Sequence, residues 1–363
     1  MPYTLTIKQI PGKPGQVYYP LQLNTVPNPS SPPPGHVLVK ISAAALNHRD
    51  LFIRQHLYPG ISFSSPLLAD GYGTVIQPST HPLYQKAVIL TPSRGWQSDP
   101  AGPEDQRKHS VIGGAQLYSD QGTAQEYVTV PEDEVVLAPE HLSPAEAAAL
   151  PLVGVTGWRA LVTKAGITEG TERRNVLITG IGGGVALQTL QFAVAMGNVD
   201  AWVTSGDNDK IERAKKMGAK GGVIYKEEGW EKKLGAMLPR DRPFLDAVVD
   251  GAGGDVVAKS VKLLRPGGVI ANYGMTTGNK MDWVAMAFLR NVELKGTSMG
   301  SRKEFGDMVE FVRKKGIRPV VSRTVRGLDN LEGIEGLFEE MKQGRQFGKL
   351  VVLFDGEGES PKL

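Results

Sequence analysis

The sequence predicts an α/β protein in two unlike parts. A doubly wound parallel sheet occupies the second half, and a first part of short strands and loops precedes it. Three observations carry this. From Val176 onward, short apolar runs alternate with helical patterns at the spacing of crossover units. Of the 25 prolines, 20 lie at or before Pro151, and proline interrupts helices and central strands. A glycine cluster, Gly180 to Gly184, sits where a strand meets a helix.

The elements follow in order. Alternating or β-branched runs predict strands at Val37–Ile41, Gly73–Ile76, Ala87–Leu90 and Ala124–Val130. Ser143-Pro144-Ala145-Glu146 opens an Ala-rich helix, with serine as the cap, proline at the first helical position and an acid in the first turn. Strands at Val176–Thr179, Ala201–Thr204, Val223–Tyr225, Ala247–Val249 and Val269–Tyr273 alternate with helices at Val185–Met196, Asp209–Met217 and Gly253–Leu264. Beyond Glu293 the pattern becomes mixed, with helices at Lys303–Lys315 and Leu331–Gln343 and a closing strand at Gly348–Leu353. The domain limits expected from this are 1–145, 146–290 and a return to the first domain over 291–363.

Composition excludes several chemistries. The 363 residues contain no cysteine, which removes thiolate catalysis, disulfides, Cys-ligated zinc and iron–sulfur clusters. A net charge of +3 without a basic block disfavours nucleic acid as the main partner. The stretch from Asn175 to Val199 lacks charged side chains, but its central glycines and later glutamines read as strand, turn and helix rather than as a membrane span.

The glycine turn, Val176-Leu177-Ile178-Thr179-Gly180-Ile181-Gly182-Gly183-Gly184-Val185-Ala186, stands where dinucleotide chemistry requires. Glycines let the backbone approach a pyrophosphate, and the N–H groups of the following helix meet its charge. Val185 replaces the last glycine of the strict pattern. One strand later comes Val203-Thr204-Ser205-Gly206-Asp207-Asn208-Asp209-Lys210. An acid at that strand end takes the ribose hydroxyls of NAD; a small residue with a nearby cation leaves room for the 2′-phosphate of NADP. Ser205 and Lys210 favour NADPH, while Asp207 and Asp209 speak against it.

Several segments together resemble the medium-chain dehydrogenases/reductases, in the zinc-independent quinone oxidoreductase branch. They include Glu146-Ala147-Ala148-Ala149-Leu150-Pro151-Leu152-Val153-Gly154-Val155-Thr156-Gly157-Trp158, the glycine turn, and Val249-Asp250-Gly251-Ala252-Gly253-Gly254. Arg265-Pro266-Gly267-Gly268, Asn47-His48-Arg49-Asp50, Leu57-Tyr58-Pro59-Gly60 and Asp70-Gly71-Tyr72-Gly73-Thr74-Val75 complete the match. The resemblance implies a Rossmann cofactor domain plus a GroES-like, mostly-β substrate domain. It sets Asn47 near the nicotinamide and Tyr58 over the substrate in the cleft between them, with Thr156 facing the carboxamide. Gly180, Gly182, Gly183, Gly184, Val185, Ser205, Lys210, Tyr225 and Gly274 are its further cofactor-binding positions. It also implies a homodimer paired through an edge strand at Gly268–Tyr273.

The departures matter. Zinc alcohol dehydrogenases carry cysteine at the position of Asn47 and histidine at the position of Ala69, and their four-cysteine lobe would fall within 92–115. The implied enzyme therefore binds no metal. It transfers hydride from NADPH to a quinone or an α,β-unsaturated carbonyl, and the protein contributes orientation and hydrogen-bond donors. Two other readings use the same scaffold: a non-catalytic NADPH sensor or nucleic-acid binder, and a methyltransferase using S-adenosylmethionine. The expected location is the cytoplasm. The C-terminal Pro361-Lys362-Leu363 stands one residue from the peroxisomal Ser-Lys-Leu address.

Overall fold

A computed structural model describes residues 1–278 and 280–354; the C-terminal tripeptide and the polar tail before it lie outside the described residues. The chain divides into two units, Met1–Leu152 with Ser301–Leu363, and Val153–Gly300. Both limits fall later than the sequence suggests, for reasons visible in the packing. The helix Pro144–Ala149, closed by a reciprocal capping box between Ser143 and Glu146, sets Ala148 and Ala149 against Ala43, Ala45 and Val351 of the first unit's sheet. At the other limit, Glu293–Gly296 is a strand of the second unit.

The first unit is built on a seven-stranded sheet whose spine is the ten-residue strand His36–Ala45. One end of the spine pairs antiparallel with Tyr127–Pro131. The other end pairs with Lys349–Leu353 on one side, and Asp70–Gln77 lies along the opposite side. Two registers converge on one residue of the spine: Val351 stands opposite Ala45, and so does Asp70. The helix Leu331–Lys342 closes the core, with Ile334, Leu337 and Phe338 packed among Leu5, Ile7 and Leu46. Burying such side chains contributes roughly 1.5–3 kcal/mol each.

The second unit is a six-stranded parallel sheet in the order Gly221–Ile224, Val199–Ser205, Arg174–Ile178, Leu245–Asp250, Leu264–Asn272, Glu293–Gly296. Its central strands are buried along their whole length, which is why they read as continuous apolar runs rather than alternating ones. Strand order reverses between Arg174–Ile178 and Leu245–Asp250, the switch point at which such sheets bind ligands beyond their carboxyl ends.

Two further expectations are corrected. The helix expected over Gly253–Leu264 is only Val256–Val261, because Gly253 and Gly254 adopt positive φ (72° and 60°) and Leu264 already begins the next strand. The run Gly268–Tyr273 is not an edge: its residues pair on both sides, with Leu245–Asp250 and with Glu293–Gly296. The true edge, Glu293–Gly296, is short and polar, and its lack of apolar alternation hides it in the sequence. Among the described residues, no helix is long and apolar enough to cross a membrane.

Candidate active site

In the second unit the glycine turn follows the central strand Arg174–Ile178. Gly180 and Gly182 hold positive φ (67° and 117°), a region that favours glycine. The turn is fixed from the neighbouring strand: Thr204 Oγ1 accepts the Gly180 N–H at 3.2 Å and the Thr204 carbonyl accepts the Ile181 N–H at 2.8 Å. Gly183 is the N-cap of the helix Gly184–Met196 and has no side chain with which to cap it. The first-turn N–H groups, at Gly184 and Val185, therefore face outward without an intrahelical acceptor. A Cβ on Gly183 would meet nothing nearer than the Gly180 carbonyl at 3.5 Å. The space at Gly180 and Gly183 is thus open, as an approaching phosphate requires, while the Lys210 side chain lies over Gly182.

The strand ends beside the turn are tied by Asp250, which is fully buried. Its carboxylate accepts from Thr179 Oγ1 at 2.6 Å, Ala252 N at 3.0 Å, Gly253 N at 2.9 Å and Asn272 Nδ2 at 2.8 Å. Asn272 Nδ2 also donates to the Gly274 carbonyl at 2.8 Å. Asp250 thus locks three neighbouring strand ends beside the switch point, and its acceptor role was not apparent from sequence. Thr156 is buried within the helix Pro151–Trp158, its hydroxyl 3.9 Å from Met299 Sδ. At the second strand end, Ser205 is buried and its Oγ accepts the Asp207 N–H at 3.1 Å. The Asp207 carboxylate accepts the Asp209 N–H at 2.9 Å as N-cap of the helix Asn208–Lys216.

In the first unit, Asn47 caps the helix His48–Arg54 and is 6% exposed. The two registers of the sheet bring Lys349 and Asp70 to it. Lys349 Nζ donates to Asn47 Oδ1 at 2.6 Å, to the Leu46 carbonyl at 2.7 Å and to Asp70 Oδ2 at 2.7 Å. Asn47 Nδ2 donates to the same Asp70 oxygen at 2.9 Å, and Leu152 N donates to the other at 2.7 Å. One amide hydrogen of Asn47 remains outside these bonds. Asp50, fully buried, accepts the Asn47 N–H at 2.7 Å. Burial pushes its carboxyl up to about 6, against the opposing pull of Arg49, the Asn47 N–H and Lys349.

Tyr58 lines a cavity of about 760 Å³ together with His56, Leu57, Ile61, Phe63 and Gln116. The Arg49 guanidinium stacks 4.8 Å from the centre of its ring, while Nη1 of Arg49 donates to the Ile112 carbonyl at 2.9 Å. Neither Lys349 nor Arg49 carried a sequence signal of its role. Lys349 lies 302 residues from its partner Asn47, and only a strand register joins them.

A zinc ion does not fit this cluster. Zinc sites need several converging thiolate, imidazole or carboxylate donors. Ala69 offers none, the Asn47 and Asp70 oxygens already hold an ammonium, and a dication among them would meet that positive charge. No group of three His, Asp or Glu residues suited to a metal occurs among the described residues.

A dinucleotide turn at the switch point of a doubly wound sheet, in a chain with a separate strand-rich unit, defines the class: an oxidoreductase that uses a pyridine nucleotide. Comparison with known proteins gives the family. Residues 33–140 match the model for the alcohol dehydrogenase GroES-like domain, and residues 184–314 the model for zinc-binding dehydrogenases. The zinc-type alcohol dehydrogenase-like protein YogA of Leptosphaeria maculans is 55% identical over 97% of this chain and 99% of that protein. The acryloyl-coenzyme A reductase of Metallosphaera sedula is 26% identical over 90% of this chain and 93% of that protein. A crystal structure of an NAD-dependent alcohol dehydrogenase superposes with a TM-score of 0.80 at 28% identity, covering 97% of this chain and all of that one. The chain belongs to the medium-chain dehydrogenase/reductase superfamily.

Proposed function

We propose that this protein is a zinc-independent, NADPH-dependent reductase that transfers hydride to a quinone or an α,β-unsaturated carbonyl. The observation that carries this reading is the Lys349 ammonium seated between Asn47 and Asp70. With those oxygens committed, no Lewis acid serves an alkoxide, and the substrate must delocalise the incoming charge itself. Quinones and enones do so through a quinol or enolate oxygen. The name of the Metallosphaera relative, a reductase of a conjugated acyl thioester, supports the same electrophile class.

NADPH, when bound, supplies the hydride. The protein's residues do the rest. Gly180–Gly184 and the first turn of the following helix hold the pyrophosphate, with Val185 contributing its N–H. Ser205, Lys210 and Tyr225 take the adenosine end, and Asn47, Thr156 and Gly274 the nicotinamide end. Tyr58 donates its hydroxyl proton toward the oxygen where charge develops. Preference for NADPH rests on a strand end that presents Ser205 and Gly206 while Asp207 is committed to its helix cap. The protein acts as a homodimer on a small molecule in the cytoplasm.

The test is NADPH oxidation across a panel of quinones, enones, enals and simple ketones, with Tyr58→Phe alongside. Turnover of the conjugated substrates alone, reduced about 10²-fold or more in the variant, is the expected result. Turnover of simple ketones only, or stoichiometric NADPH binding with no turnover, would overturn the reading.

A further inference from the structure

We propose that His56, held in place by Tyr19, binds substrate and selects conjugated rings that carry a second carbonyl oxygen, as para-quinones and ene-diones do. This rests on the reductase reading above and narrows its substrate class. Both residues belong to the first unit. His56 follows the helix His48–Arg54 and has a φ of +56°, a left-handed conformation that favours glycine and that residues with a β-carbon rarely adopt. A side chain persists in such a position when its surroundings hold it there, and local strain of this kind gathers at ligand sites. Here the holding group is Tyr19. That residue is buried, its N–H donates to the Arg54 carbonyl at 2.8 Å, and its own carbonyl accepts from Arg54 Nε at 2.9 Å. Its ring meets Phe63 edge-on, with centroids 4.8 Å apart. The phenol is thereby fixed, and Tyr19 Oη lies 2.5 Å from His56 Nδ1.

This bond sets which imidazole nitrogen carries the hydrogen. Among the described residues, Tyr19 Oη has no acceptor other than His56 Nδ1, and a buried hydroxyl must place its hydrogen. Nδ1 therefore accepts, and in a neutral ring Nε2 is then the donor. Nε2 has no protein partner among the described residues. His56 lines the cavity of about 760 Å³ together with Tyr58 and Gln116, among apolar side chains such as Leu57, Ile61 and Phe63. Apolar walls of this kind take a flat ring, and their few polar groups fix its orientation. Tyr58 serves the oxygen where charge develops. His56 Nε2 is a second donor on the same cavity, and a ligand that satisfies both needs two oxygens. A simple enone has one.

The test follows NADPH oxidation with cyclohexenone, which has one carbonyl, and with cyclohexenedione and para-benzoquinone, which have two. It compares the parent protein with His56→Gly and Tyr19→Phe. Glycine readily takes a φ of +56°, so His56→Gly is expected to fold, as its melting temperature would show. Tyr19→Phe keeps the backbone contacts with Arg54 and removes only the hydroxyl. The substrates differ in intrinsic reactivity, but that difference cancels when a variant's preference is set against the parent's. The preference for two-carbonyl substrates over cyclohexenone, as a ratio of kcat/KM values, should fall about 5- to 10-fold in His56→Gly. The change should lie in KM, as for a lost binding contact. Tyr19→Phe should move the ratio in the same direction by a smaller factor, because it frees the imidazole without removing it. A purely structural Tyr19–His56 bond would lower the melting temperature of the variants and leave the ratio as in the parent. That result overturns the assignment while the reductase reading stands. If the parent oxidises NADPH with none of these substrates, the reductase reading itself fails, and the role of His56 with it.

Discussion

Lys349 Nζ lies 2.6 Å from Oδ1 of Asn47, and both side chains are almost wholly buried. That contact orients the Asn47 amide: its oxygen faces the ammonium, so its nitrogen faces Asp70. An ammonium with three acceptors and a carboxylate with three donors make a closed network, and such networks are costly to leave half made.

Lys349→Met should therefore lose about 3–5 kcal/mol of stability, because Asp70 would be left buried without its cation. Chemical denaturation measures this. Lys349→Met combined with Asp70→Asn should recover a large part of the loss, and a double variant no better than the single one would contradict the network.

The same network governs metal content. Purified protein should contain no stoichiometric zinc by elemental analysis, and a chelator should leave turnover unchanged. One zinc per chain, lost together with activity, would be inconsistent with an ammonium at Asn47 and Asp70.

Asp50 gives a pH signature. Its buried carboxyl is raised to about 6 from an ordinary value of 3.8, so between those values the folded protein binds a proton that the unfolded chain has released. The contribution of this group to stability is full below about pH 4 and falls as pH rises through 6. Asp50→Asn keeps an acceptor for the Asn47 N–H and removes the titration. Its melting temperature relative to the parent should rise between pH 4.5 and 7.5 (~3 pH units of scan across the window); a constant difference would refute the assignment.

Gly183→Val isolates ligand approach from folding. Gly183 has φ −73° and ψ 149°, which any residue adopts, and its Cβ would make only an ordinary contact. The variant should fold and melt close to the parent while losing most affinity for NADPH, read by calorimetry. Unchanged affinity would mean that the phosphates do not lie on this turn.

Assembly is expected at the outer strand Glu293–Gly296. Beside it in sequence, Phe288 and Leu289 are 64% and 67% exposed, and Leu294 on the strand is 38% exposed. Apolar side chains flanking an unpaired strand call for a cover. Light scattering should show a dimer at micromolar concentration, and Phe288→Asp with Leu289→Ser should shift it to monomer. A monomeric parent would remove the dimer from the reading.

Much of this protein was legible in the sequence because it is local. The glycine turn is local chemistry: the φ of Gly180 and Gly182 and the bare N-cap at Gly183 follow from residue type. The Ser143 capping box and the continuous apolar runs of the parallel strands are of the same kind. Tertiary structure decided what residue type leaves open. Gly268–Tyr273 is as apolar as an edge that needs a partner, yet its neighbour Glu293–Gly296 makes it interior, and that four-residue strand is too short and polar to announce itself. Lys349 reads as an ordinary strand-end cation until two antiparallel registers set it beside Asn47 and Asp70. Lys210 and Lys226 are alike in the sequence, and only the folding of their segments places one over Gly182 and the other over Gly206. The reason is common to all three cases. Propensity and backbone geometry act over a few residues, whereas the partner of a charge or an edge is chosen by strand order and register across the chain.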